Sequence, residues 1–115
     1  MSFKDKSKAD VLQGTLDLMV LQTLDTLGAL HGYAIAARLE QVSSGALQLN
    51  MGTLYPALMR LEQRGLVKGT WGTTDSNRRA RFYALTAAGR RQLARERQAW
   101  DQMAGIIQAL LQSGS

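Results

Sequence analysis

The chain has 115 residues, with 14 lysines and arginines against nine acidic residues, and a formal net charge of +5. That length suits one domain around one core, the lack of cysteine excludes disulfides and thiolate metal sites, and no run approaches the roughly 18 apolar residues of a membrane span. A basic excess on so small a chain points to a polyanionic partner, nucleic acid before an anionic membrane, and to a cytoplasmic protein with no signal-like leader.

Met1 to Lys6 is polar and expected to fray. Ser7 with Asp10 three residues on resembles a capping box. Leu12, Leu16, Met19, Val20, Leu24 and Leu27 then recur at spacings of three and four, the buried stripe of a helix that Gly28 would close. Leu18 and Leu21 fall off that stripe, so this helix needs more than one packing surface and a partner chain is expected. A second, shorter helix should start near His31-Gly32, turn Tyr33, Ala36, Leu39 and Val42 inward, and end at Ser43-Ser44-Gly45. Ala46 to Leu49 reads as a short extended link. Asn50 is a good N-cap for a third helix and Gly65 its C-terminal cap. Leu66 to Trp71 and Arg79 to Leu85 read as strands, and Gly72 to Asn77 between them is turn chemistry, which makes a hairpin with a flexible tip. In the second strand Arg79, Arg81, Tyr83 and Leu85 share one side; Ala80, Phe82 and Ala84 share the other. Thr86 caps a final helix in which Leu93, Trp100 and Ile107 repeat every seven residues, with Met103 and Leu110 in the intermediate seam and Glu96 interrupting it, a dimerisation signal. The expected fold is mainly α with a small β-hairpin: a winged helix-turn-helix DNA-binding domain over residues 1–86 and a C-terminal dimerisation helix over 87–115, in one compact unit.

The third helix carries the functional signal. On a wheel of about 100° per residue, Leu54, Leu58 and Leu61 fall in one narrow sector. Gly52, Pro56, Met59, Arg60 and Gln63 lie broadly opposite, with Thr53 and Tyr55 on the flanks. The leucines fasten the helix to a core; the other side is free to enter a major groove. Arg60 can donate two parallel hydrogen bonds to guanine or grip a phosphate, Thr53 and Tyr55 can donate to phosphates near the helix start, and Pro56 offers a rigid apolar edge to a thymine methyl. Charge is focused beside this helix. Arg60 to Arg91 holds eight basic residues and two acidic ones, whereas the rest of the chain holds six basic and seven acidic. Such a face is an electrostatic footprint for DNA. Asn77-Arg78-Arg79 at the wing tip can straddle a backbone or enter a minor groove.

Leu12-Gln-Gly-Thr-Leu-Asp17, His31-Gly-Tyr-Ala-Ile35, Gly52-Thr-Leu-Tyr-Pro-Ala-Leu58, Arg60-Leu-Glu62, Trp71-Gly72 and Asn77-Arg-Arg-Ala-Arg-Phe-Tyr-Ala-Leu-Thr86 with Gly89 together resemble the PadR family of bacterial transcriptional regulators. The resemblance spans nearly the whole chain, and its short C-terminus is similar to the subgroup with one dimerisation helix. It implies a homodimeric winged-helix repressor of a pseudo-palindromic operator in double-stranded DNA, with Thr53, Tyr55, Pro56 and Arg60 as DNA-reading residues and the wing residues Asn77, Arg78, Arg79 and Arg81 beside them. It also implies a small aromatic effector, for which Trp100 is the ring platform, with Met103 and Ala104 around it and Asp17 and Leu18 near from the first helix.

The remaining residues carry no further chemistry. His31 is the lone histidine and has no ligand cluster around it. No nucleophile, base and orienting group can be assembled, so no enzyme, metal or cofactor is expected. The alternative reading is a winged-helix module that binds protein without specific DNA binding.

Overall fold

The computed structural model describes residues 13–114; the Ser7–Asp10 capping box, Leu12 and the stretch Met1 to Lys6 lie outside the described residues. The elements run α1 (Gln13–Leu27), β1 (Leu30–His31), α2 (Gly32–Val42), α3 (Met51–Gln63), β2 (Val67–Thr73), β3 (Arg79–Leu85) and α4 (Ala87–Ser113). The strands form one antiparallel sheet in the order β1-β3-β2. The architecture is a winged helix-turn-helix extended by a C-terminal helix, as the sequence pattern indicates.

The core is built where α1, α2 and α3 meet the sheet. Val20, Leu21, Leu24, Ile35, Leu54, Leu58, Leu61 and Val67 are fully buried there. Leu16, Val20 and Leu24 follow the expected stripe of α1, but Leu21 is buried too, and Leu27 is exposed. The second packing surface of α1 is taken up within the chain, because α1 also lies along α4. Gly28 ends α1 with a positive φ of 83°, and its N–H reaches the Leu24 carbonyl at 2.9 Å.

In α2 the expected inward set is only partly right. Ile35 and Leu39 are buried, Ala36 packs against the core, and Tyr33 and Val42 face solvent. Steps of three fall about 60° short of a helical turn each time, so residues nine apart end on opposite sides. A helix that buries Gly32, Ile35 and Leu39 together turns Tyr33 to the opposite side, whereas Val42 is the last residue of α2 and lines the cleft with Trp100.

The short strand β1 was not foreseen. It pairs Leu30 with Tyr83 and His31 with Phe82, and the His31 ring lies 5.3 Å from the Phe82 ring, tilted by 59°. Two residues carry no period, so nothing local marks them as a strand. The hairpin tip differs from expectation as well. The Thr74 N–H bonds the Arg78 carbonyl at 2.8 Å and the Asn77 N–H bonds the Thr74 carbonyl at 2.9 Å. The Thr74 hydroxyl accepts from the Arg78 N–H at 3.1 Å. Asn77 takes the left-handed conformation, φ 65°, which asparagine tolerates better than most residues. The tip is a closed turn that holds its basic residues in place.

Thr86 caps α4 by accepting from the Gly89 N–H at 2.9 Å. Gly89 is buried in the first turn, and a Cβ there would collide with the Leu66 carbonyl oxygen. Because that obstacle is backbone, Gly89→Ala is expected to destabilise by about 1–3 kcal/mol, read as a lowered midpoint in thermal unfolding; an unchanged midpoint would mean that α4 does not sit against Leu66. Beyond Glu96, α4 leaves the body of the protein: Trp100, Met103, Ile106, Ile107, Leu110 and Leu111 are all exposed.

Candidate nucleic-acid interface

Asn50 starts α3 from an extended backbone conformation, and its side chain accepts from the Thr53 N–H at 2.9 Å. At the other end Gly65, φ 74°, closes a Schellman motif. Its N–H reaches the Glu62 carbonyl, and the Leu66 N–H reaches that of Leu61, both at 2.9 Å. Between these caps Leu54, Ala57, Leu58 and Leu61 face the core. Gly52, Tyr55, Pro56, Met59 and Gln63 are exposed and Thr53 is half-buried. Pro56 lies inside the helix on its open side. Tyr55 lies against Gly32 at the start of α2, where an added Cβ would touch its ring at 3.4 Å. An exposed face about three turns long is thereby presented on a firmly packed helix.

Arg60 departs from the sequence expectation. It does not extend freely from the open face. Its Nη2 bonds Asp17 Oδ1 at 3.3 Å, and Arg64 Nη1 approaches Asp17 Oδ2 at 4.0 Å. The Asp17 side chain is 5% exposed and that of Arg60 33%. Burial pushes the Asp17 carboxyl above its ordinary range, against the pull of the Arg60 and Arg64 guanidinium groups. Asp17 is thus turned into the core toward α3, and it does not line the hollows beside Trp100.

Arg81 is diverted in the same way. Its Nη2 bonds Glu62 Oε2 at 2.6 Å, and the same carboxylate accepts from the Gly69 N–H at 3.2 Å. The guanidinium lies across Gly69 so closely that any Cβ there would clash with it. Glu62 is on α3, so this network ties the wing to the helix. Arg78 and Arg79 have no carboxylate partner among the described residues. Arg79 instead covers the Trp71 ring, 5.1 Å from its centre.

These pieces converge. Tyr33, Tyr55, Trp71, Arg78, Arg79 and Arg81 line one basin between the start of α2, the first half of α3 and the wing. Tyr33 and Trp71, 67% and 62% exposed, were not among the sequence candidates. Spacing alone places Tyr33 in the core, and a tryptophan at the end of a strand is expected to pack. What could have found Trp71 is the strand pairing, which sets Trp71 opposite Arg81. Rings and guanidinium groups around an open basin suit a sugar–phosphate backbone: cations meet phosphate and ring edges cover sugar.

Comparison with known proteins agrees with this geometry. The PadR-like transcriptional regulator family matches residues 20–95, from the middle of α1 into α4. The chain belongs to the PadR-like family. A transcriptional regulator from Clostridium thermocellum has a similar structure, with a TM-score of 0.77 and 26% identity, over 87% of this chain and 96% of that one. Among curated relatives, a transcriptional regulator of Mycobacterium tuberculosis is 37% identical over 65 residues, 56% of this chain and 60% of its own length. An uncharacterised 37.1 kDa protein in a transposon of Streptomyces fradiae is 44% identical over 80 residues, 70% of this chain and 21% of its own length. The chain therefore spans about three-fifths of the first of these curated relatives and a fifth of the second.

The open face of α3 and the wing bring exposed rings and cations together on one surface of this chain. The residues near Trp100 sort differently from expectation. Leu18, Trp100 and Met103 line a shallow hollow with Gly14, Thr15, Glu96 and Ala99. Leu18 and Trp100 also wall a cleft of about 430 Å³ between α1, α2 and α4. Ala104 is half-buried one turn further along. Among the described residues no group of histidine, cysteine or carboxylate side chains could hold a metal, and no helix is long and apolar enough to cross a membrane.

Proposed function

We propose that this PadR-like chain is a sequence-specific DNA-binding regulator that acts in the cytoplasm as a homodimeric repressor and is released by a small aromatic ligand. The observation that carries the DNA reading is the shared basin: α3 offers Tyr55 and Pro56 on a face fixed from below by leucines, and the wing sets Arg78 and Arg79 beside it. The helix enters a major groove with Thr53, Tyr55 and Pro56 leading. The wing follows a phosphate backbone, and the turn conformation of Asn77 directs the two arginines.

Pairing is supported by α4. A helix whose second half exposes Trp100, Met103, Ile106, Ile107, Leu110 and Leu111 cannot rest on its intrinsic propensity in water. A second copy laid along residues 87–115 covers that seam. Residues 1–86 then serve DNA, and two reading helices related by a two-fold axis fit a pseudo-palindromic operator with half-sites roughly 34–36 Å apart, or a multiple of that spacing.

Trp100, 55% exposed, stands between two hollows with Leu18 and Met103, so a flat ring stacked on it would change how α4 seats against α1 and its mate. That change has a route to the reading helix. The Thr86 hydroxyl at the start of α4 donates to the Gly65 carbonyl at 2.7 Å, and Gly65 closes α3. A ligand that favours one seating shifts operator affinity only through its differential binding to the two states.

Sedimentation of the protein at micromolar concentration, alone and with a duplex selected by it from a random pool, tests both halves. The expected masses are those of a dimer and of two chains per duplex. Monomer alone, or one chain per duplex, would contradict the proposal.

A further inference from the structure

Asp17 is a costly residue to place in the core. A buried carboxylate is desolvated, and a well-packed apolar residue in its place is often as stable or more so. Its partners are not local. Arg60, which bonds it at 3.3 Å, lies 43 positions away on the reading helix, and Arg64, the C-cap of the same helix, stands at 4.0 Å. The Arg60 Nε is also buried, without a hydrogen-bond partner among the described residues. One edge of this guanidinium is therefore enclosed and held from beneath, while a third of the side chain remains open to solvent. An arginine left free would sweep many rotamers and grip any phosphate. An arginine held on one side can present its remaining donors in one direction only.

We propose that Asp17 is a positioning residue for DNA recognition: from α1, beneath the reading helix, it aims Arg60 and thereby sets sequence discrimination, while its negative charge reduces the unspecific pull of Arg60 and Arg64 on phosphates. This rests on α3 being the DNA-reading helix. It gives Arg60 a contact from a fixed guanidinium at the edge of the interface instead of a freely extended one. It also makes α1 part of the reading apparatus, since the next residue, Leu18, walls the hollows beside Trp100.

The test compares Asp17→Asn, Arg60→Lys, Arg60→Gln and the double variant Asp17→Asn/Arg60→Gln with wild type. Fluorescence anisotropy is read on a duplex selected by the wild-type protein and on a scrambled duplex of the same composition, at matched salt. Asparagine is nearly isosteric and keeps an oxygen that can accept from Arg60, so Asp17→Asn is expected to stay folded. Its affinity for the selected duplex should fall about tenfold, the scale of one lost base contact. Its affinity for the scrambled duplex should hold or rise, because a carboxylate beneath two arginines has gone. Arg60→Lys keeps the charge without the planar fork and should lose discrimination alike, a result that does not depend on how Asp17→Asn folds. The double variant should discriminate no worse than Arg60→Gln alone.

Equal losses on both duplexes with a lowered melting temperature, or additive losses in the double variant, would reduce the pair to a structural tie and overturn the inference. So would unchanged discrimination in Asp17→Asn and Arg60→Lys. If the wild type binds the two duplexes alike, the DNA-reading proposal itself fails, an outcome distinct from a discriminating wild type with indifferent variants.

Discussion

Replacing Arg78 and Arg79 together with alanine is expected, per protomer, to weaken DNA binding by roughly 50-fold at about 0.1 M salt and to lower the slope of log affinity against log salt by about 2. Both side chains are exposed, and among the described residues neither is paired with a carboxylate. Each is therefore available to displace condensed counterions, with a contribution of about 0.9 to the slope per phosphate neutralised on duplex DNA. Arg81 and Arg64 should contribute less, since their charges are partly answered by Glu62 and Asp17. The fold should be indifferent, because the turn is closed by the backbone and by Thr74. Affinity titrations at several salt concentrations read the effect directly. An unchanged slope would remove the wing tip from the interface.

Leu58→Ala should have the largest effect on stability. Leu58 is fully enclosed in the middle of α3, flanked by Leu54 and Leu61 one turn either way and packed within the cluster that also holds Val20, Leu24 and Ile35. Truncating an enclosed leucine removes its burial energy and leaves a cavity, at about 2–5 kcal/mol. Against the roughly 5–15 kcal/mol that holds a domain of this size together, that is a large fraction. Urea unfolding at fixed protein concentration should show a lower midpoint with an unchanged slope. DNA binding should fall only as far as the folded fraction falls. A loss under about 1 kcal/mol would contradict the placement of Leu58 at the centre of the core.

The reading helix was legible in the sequence because every signal agreed there. Asn50 caps it, leucines spaced by four and three anchor it, and Gly65 stops it; each feature is local and appears in the structure in that role. The wing strands and the Thr86 cap were legible for the same reason. What stayed hidden was settled by contacts between distant segments. The strand at Leu30–His31 exists only because β3 offers it an edge. Leu21 is buried because α1 is sandwiched, and a single stripe cannot show that. The largest gap lies in the arginines. Sequence counts charges but not their partners, so Arg60 and Arg81 read as free although Asp17 and Glu62 hold them. Tyr33 and Trp71 give no local sign of exposure, because large rings more often pack inside, whereas here both line the basic basin.

On the proposed function, α3 and the wing together read DNA sequence. The most direct measurement is the affinity of the wild-type protein for a duplex selected from a random pool and for a scrambled duplex of equal length, both at about 0.15 M salt. At least about a thousandfold preference for the selected duplex is expected, with both affinities falling as salt rises. Equal affinity for the two duplexes, or no recoverable selected sequence, would contradict it.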